Sequence, residues 1–212
     1  MNGSVAAFAV FAAILTITPG LDTFLVLRTT AVSGRAAGLL TAIGIGTGCL
    51  VWALASAVGV TAVLAASQVA FEVLRAAGVA YLCWLGVRAL WRSRRSAYVA
   101  TPAAVEGPRL DGWRALRTGL LTNLLNPKVG AFYLSVMPQF LPSGLNPLAG
   151  SIALGAIHIG EGLVWCTLLV LAANLARGWL TRPAVRRRLE QVSGLAFLGF
   201  GLKLALDRGP RG

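Results

Sequence analysis

The chain has 212 residues, of which 57% are hydrophobic and only 12% charged, and its mean hydropathy is +0.75. A soluble domain carries roughly 25% charge, so a globular core with a wetted surface is excluded and an all-α integral membrane protein is implied. The net charge of +12 does not point to nucleic acid, because the basic residues gather between apolar spans rather than along one face.

A helical crossing needs about 20 mostly apolar residues, and in chain order the sequence predicts six of them. They fall near residues 5–27, 36–64, 69–91, 117–141, 147–175 and 189–206. The first is read as a helix rather than a cleaved signal, since it lacks a basic lead-in and is longer than a signal's apolar region. Residues 92–116, rich in arginine and broken by Pro102, Gly107, Pro108 and Gly112, read as a cytoplasmic linker between two halves, 1–91 and 117–212.

The loops alternate in charge. Arg28 and Arg35 follow the first span. Arg92, Arg94, Arg95, Arg109, Arg114 and Arg117 follow the third, and Arg177, Arg182, Arg186, Arg187 and Arg188 the fifth. The loops after spans two and four have no arginine, and the tail has Arg208 and Arg211. Cytoplasmic loops are the basic ones, so both termini are expected outside, with the tail arginines and Lys203 discordant.

The halves resemble each other. Residues 78–90, GVAYLCWLGVRAL, align without gaps on 194–206, GLAFLGFGLKLAL, and Leu50-Val51-Trp52 has a twin in Leu163-Val164-Trp165. Three spans per half is an odd number, so the second copy must enter from the opposite side. The expected architecture is therefore two inverted three-helix repeats, common among secondary transporters.

The first helix of each half is broken by proline beside charge: Thr18-Pro19-Gly20-Leu21-Asp22 in one, Asn123 to Lys128 around Pro127 in the other. Proline has no N–H to give, which frees a carbonyl. Lipid cannot satisfy that carbonyl, so it must face protein or a polar cavity. Matched broken helices are the sequence pointer to a transporter's site. Asp22 is expected to face the interior, since a carboxylate in hydrocarbon costs several kcal/mol; its bland reading is an interfacial acid beside Arg28. Lys128 lies roughly 15–18 Å into its span at 1.5 Å per residue and is expected to pair with Asp22 or Glu161. Asn123 and Asn126 supply amides around the break. Together with Asp22, Asn126, Lys128 and Glu161, helix ends freed by proline offer partners for both ends of a zwitterion.

Glu161 stands amid the fifth span, where a carboxyl group sheltered from water could take and give a proton near neutral pH and so couple export to protons. His158, one turn earlier on the same face, is read as a packing residue. Cys49, Cys83 and Cys166 lack metal or redox spacing and read as small core residues, so no cofactor or metal is expected. Gly44, Gly46 and Gly48 resemble a phosphate loop only superficially and read as helix-packing positions. Trp52, Trp84, Trp91 and Trp179 read as interface anchors or core. No catalytic triad is recognisable, so an enzyme is not expected.

Three strings carry a family resemblance: TPGLD, AFEVLRAAGVAYLCWLGVRAL (70–90) and NLLNPKVGAFYLSVMPQF (123–140). The chain resembles the lysine-exporter superfamily, in particular its homoserine/threonine-resistance branch (LysE/RhtB type). The resemblance implies a six-helix bacterial inner-membrane exporter of amino acids or their relatives, driven by the proton-motive force. The family's motif positions map onto Thr18, Pro19, Gly20, Asp22, Asn123, Asn126, Pro127, Lys128, Pro138 and Gln139; Glu161 matches none. Partners implied are a small amino-acid substrate, the lipid bilayer and a coupling proton, and a homo-oligomer is compatible with this reading. The alternatives are a cation, metal or drug-like solute on the same fold, or a passive channel.

Overall fold

The fold is that of a computed structural model, which describes residues 2–66, 68–95, 109–141, 146–173 and 182–206. Every regular element among them is helical. The order is α1 (Asn2–Ile17), α2 (Leu21–Ser33), α3 (Arg35–Ala66), α4 (Gln68–Arg95), α5 (Gly112–Leu124), α6 (Pro127–Ala131), a π turn (Phe132–Val136), a 3-10 turn (Met137–Phe140), α7 (Pro147–Leu171) and α8 (Pro183–Leu206).

Arg35–Gly59 within α3 and Pro147–Leu171 of α7 are long and apolar enough to cross a membrane. The pair Val5–Ile17 and Leu21–Ser33 also qualifies if taken as one span bent by 51°. In α4 the stretch Ala76–Trp91 is apolar, and the helix runs on to Arg94 and Arg95. The predicted linker is correspondingly shorter than 92–116: α4 reaches Arg95 and α5 starts at Gly112, while residues 96–108 lie outside the described residues. Similarly α8 starts at Pro183, ahead of the predicted 189, and carries Arg187 and Arg188 into its first turns. Arg177, Trp179, Arg208 and Arg211 also lie outside the described residues.

Local chemistry explains where helices start. Asn126 and Asn146 each precede a proline and cap the helix that follows, accepting from Lys128 N at 3.1 Å and Leu148 N at 2.9 Å. Asp111 caps α5 by accepting from Arg114 N at 2.8 Å. A side-chain acceptor at the cap and proline at the first helical position are the standard way to start a helix. The sharp turn from α2 to α3 pivots on Gly34, whose φ of 90° a side chain would strain.

Small residues set the helix crossings. Gly44 of α3 lies against backbone of Leu116 and Leu120 in α5, and Gly119 of α5 lies reciprocally against Thr41 and Ile45. Gly86 of α4 and Gly194 of α8 face one another's carbonyl oxygens in the same way. Such contacts let backbones approach where no hydrophobic drive separates helix from lipid. The largest core is aromatic: Phe8, Phe11, Phe132, Phe140 and Phe197 join Tyr133, Met137 and Leu154. A second, smaller cluster gathers Val26, Ala42, Ile45, Cys166 and Val170. The periphery is apolar as well, with Val10, Val58, Val87, Val164 and Leu202 all exposed.

Candidate binding site at the two helix breaks

In a continuous helix the N–H of residue 19 would bond to Leu15 O, and that of residue 22 to Thr18 O. Pro19 has no N–H, and the chain unwinds over Thr18 to Gly20 before α2 begins. Both carbonyls therefore lose their helical donors. Lys128 supplies the replacement: its Nζ donates to Leu15 O at 3.0 Å and to Thr18 O at 3.3 Å. The second break repeats the logic. Pro127 deprives Asn123 O of its donor, and that oxygen accepts from Asn126 N at 3.0 Å and Trp52 Nε1 at 3.4 Å. Tyr81 of α4 donates to Pro127 O at 2.9 Å.

The breaks are also joined by their side chains. Asn123 Nδ2 donates to Asp22 Oδ2 at 3.0 Å, and Asn126 Nδ2 donates to Asp22 Oδ1 at 3.3 Å. The amides of one half thus hold the carboxylate of the other, while the lysine of the second half holds the carbonyls of the first. Gly48 makes room for this, since a Cβ there would collide with the Asn123 side chain. The Thr18 hydroxyl donates to Ile14 O at 2.6 Å and is paired with the Ser193 hydroxyl, which ties the first break to α8.

Above this bracing lies a cavity of about 70 Å³, lined by Thr18, Gly20, Asp22, Asn126, Lys128 and His158 together with the apolar Leu15, Ile45, Val129, Ile159, Leu163 and Trp165. A water needs roughly 10–15 Å³ on this measure, so the cavity has room for a solute of a few heavy atoms. Its polar groups converge from both breaks and its walls are apolar, the usual composition of a small-molecule site. Lys128 lies within electrostatic reach of Asp22, so one cavity presents an acid, a base and the amide of Asn126.

Of the sequence-predicted residues, Thr18, Gly20, Asp22, Asn126 and Lys128 meet at this cavity. Asn123 stands behind Asp22, fully buried, and acts through it. Pro19 and Pro127 shape the backbone from outside it. Lys128 was expected to pair with a carboxylate; its Nζ donates to the freed carbonyls of Leu15 and Thr18. Glu161 sits half-buried on α7 beside the cavity-lining Gly162 and is not itself in the wall. Pro138 and Gln139 lie in the 3-10 turn, away from the site. His158, read as a packing residue, does line the cavity, with Nδ1 bonded to the Tyr133 hydroxyl at 2.8 Å. Tyr133 and Ser193 were not singled out in the sequence, and Cys49 and Trp52 were read only as core or interface residues: their contacts depend on which helix faces which.

The family pattern described as LysE type translocator matches residues 13–208. The uncharacterised membrane protein YrhP of Bacillus subtilis (strain 168) is 29% identical over 96% of this chain and 99% of its own length. The threonine efflux protein of Escherichia coli (strain K12) is 28% identical over 91% of this chain and 92% of its own. The homoserine/homoserine lactone efflux protein of Salmonella typhimurium is 27% identical over 95% and 96% respectively. No solved structure matches. The chain is a membrane protein and belongs to the LysE type translocator family.

Proposed function

We propose that this protein is a secondary active exporter of small amino acids or close relatives, driven by protons across a bacterial inner membrane. The observation that carries this reading is the cavity in which Asp22 and Lys128 meet between two broken helices. Asp22, with a second face open to the cavity, receives the substrate ammonium. Lys128 and the amide of Asn126 receive its carboxylate, and the apolar wall accommodates a short side chain. Threonine and homoserine, the solutes in the names of the relatives, are short zwitterions whose two charges match this pair of partners.

The transport cycle is alternating access. The chain is taken as six membrane crossings in two inverted halves: α1–α2, α3 and α4, then α5 through the 3-10 turn, α7 and α8. The matched breaks and the reciprocal glycine contacts of α4 with α8 support that pairing. Both termini lie outside by the arginine distribution. Glu161, with an oxygen buried away from any hydrogen-bond partner, serves as a proton acceptor near the site. The whole purified chain in proteoliposomes tests the reading: it should exchange labelled L-threonine or L-homoserine and be stimulated by a pH gradient, and Asp22→Asn should abolish exchange. Passive leak, or no exchange with either amino acid, would refute it.

A further inference from the structure

The chain's only histidine is buried. His158 forms part of the same cavity wall as Asp22 and Lys128. Its ring is held on two sides: Nδ1 meets the Tyr133 hydroxyl at 2.8 Å, and Phe132 packs edge-on with centroids 5.0 Å apart. Tyr133 is fully buried and its side chain neighbours that of Cys49 in the same core cluster. Cys49 in turn accepts from Asn123 Nδ2 at 3.5 Å, the amide that holds Asp22. An unbroken string of side chains therefore runs beneath the cavity from Asp22 through Asn123, Cys49 and Tyr133 to His158.

The backbone that delivers Tyr133 is irregular. Phe132–Val136 is a π turn in the segment following Pro127, and π turns occur frequently at functional sites. A buried imidazole nitrogen needs a hydrogen-bond partner in any role, and here that partner also fixes what the other nitrogen, on the cavity side, can do.

We propose that His158 is a proton-binding residue of the cavity and that Tyr133 is its positioning residue. This rests on the proton-driven reading above and adds to Glu161 a second proton-binding side chain, one that lines the cavity itself. Nδ1–H is donated to the Tyr133 oxygen. The Nε2 lone pair is left toward the cavity. A proton arriving there binds Nε2 and turns imidazole into imidazolium, with no other bond broken and the Nδ1 hydrogen bond now charge-assisted. On release the proton leaves Nε2 for water in the opened cavity. The other titratable or charged groups facing this ring are Asp22 from α2, Cys49 from α3, Lys128 from α6, and Cys166 on α7 itself. A substrate ammonium at Asp22 and an imidazolium across the same small cavity repel one another. Proton and substrate thus exclude each other, which exchange of one for the other requires.

The test uses the full chain in proteoliposomes enclosing a pH-sensitive dye, with L-threonine as the probe. In wild type, threonine efflux is stimulated by an inward proton gradient and accompanied by proton entry. In His158→Gln, gradient stimulation and coupled proton entry fall by about tenfold or more, and the slower exchange that remains is flat from about pH 6 to about pH 8. Tyr133→Phe keeps coupling but displaces the pH profile. Wild-type stimulation and pH profile in His158→Gln would overturn the proposal. So would complete loss of exchange at every pH in a His158→Gln protein that elutes as a folded species, which would make the histidine a binding group alone. If that variant does not fold, an unaltered pH profile in Tyr133→Phe overturns it instead. A wild-type protein that exchanges threonine without moving protons removes the proton-driven reading, and this proposal with it, whatever the variants do.

Discussion

Lys128 Nζ donates to Leu15 O, the carbonyl that Pro19 leaves without a helical partner. The contact joins residues 113 positions apart and fills in one half of the chain a gap made by proline in the same half. Replacing Lys128 with Met keeps the length of the side chain and removes the donor. Two carbonyls then face an apolar cavity, and an unmet buried acceptor costs about 1–3 kcal/mol. Lys128→Met is expected to lower the apparent melting temperature in detergent and to eliminate threonine exchange. Wild-type behaviour in both measurements would show that the lysine is not the partner of the break.

Asp22 is held by two amides, so charge and hydrogen bonding can be separated there. Asp22→Asn keeps the shape and one of the two acceptor oxygens, so it should lose the attraction for an ammonium with a smaller loss of stability, its NH2 now facing an amide NH2 that must turn over. Removing one member of a desolvated charge pair costs about 2–5 kcal/mol in binding. Stabilisation of the purified protein by added threonine should therefore vanish in Asp22→Asn and persist in wild type. Asn123→Ala should destabilise the fold more strongly, because a fully buried residue that bridges Asp22 and Cys49 is truncated.

The crossing of α3 and α5 sets the distance between the breaks, and it depends on two glycines. A methyl group at Gly119 or Gly44 would press on the backbone of the facing helix, which cannot swing aside as a flexible side chain does. Gly119→Ala and Gly44→Ala should each destabilise by about 1–3 kcal/mol, seen as early loss of the monodisperse peak on heating. Gly160→Ala is the control: no atom lies within 4 Å of a Cβ there, and helix propensity alone favours alanine by about 0.5–1 kcal/mol.

Cys49 and Cys166 line the cavity and Cys83 does not. In variants that retain one cysteine each, a small membrane-permeant thiol reagent should label the first two more slowly in the presence of threonine. At ten times the dissociation constant the slowing should approach about tenfold. Labelling of Cys83 should be unaffected. Equal rates at Cys49 with and without threonine would place the substrate elsewhere.

Some of this could be read directly from residue order. Apolar length alone identified α3 and α7, because a crossing is a one-dimensional property of roughly 20 residues. The breaks at Pro19 and Pro127 were equally legible, since proline's missing N–H acts on its own helix whatever surrounds it. The same local chemistry foretold that freed carbonyls would need partners. Which groups answered them was another matter. Lys128 reaches across to Leu15, Trp52 to Asn123, and Ser193 to Thr18, and each pairing depends on how the helices are rotated against one another. Rotation also separates His158 from Glu161: three residues apart on α7, one enters the cavity wall and the other does not. The irregular turn that aims Tyr133 at that histidine left no mark in Phe132–Val136 as a string of letters. Local bonding is decided by neighbours along the chain, while the convergence of two breaks on one cavity is decided by close packing at Gly44, Gly48 and Gly119, which brings distant residues into contact.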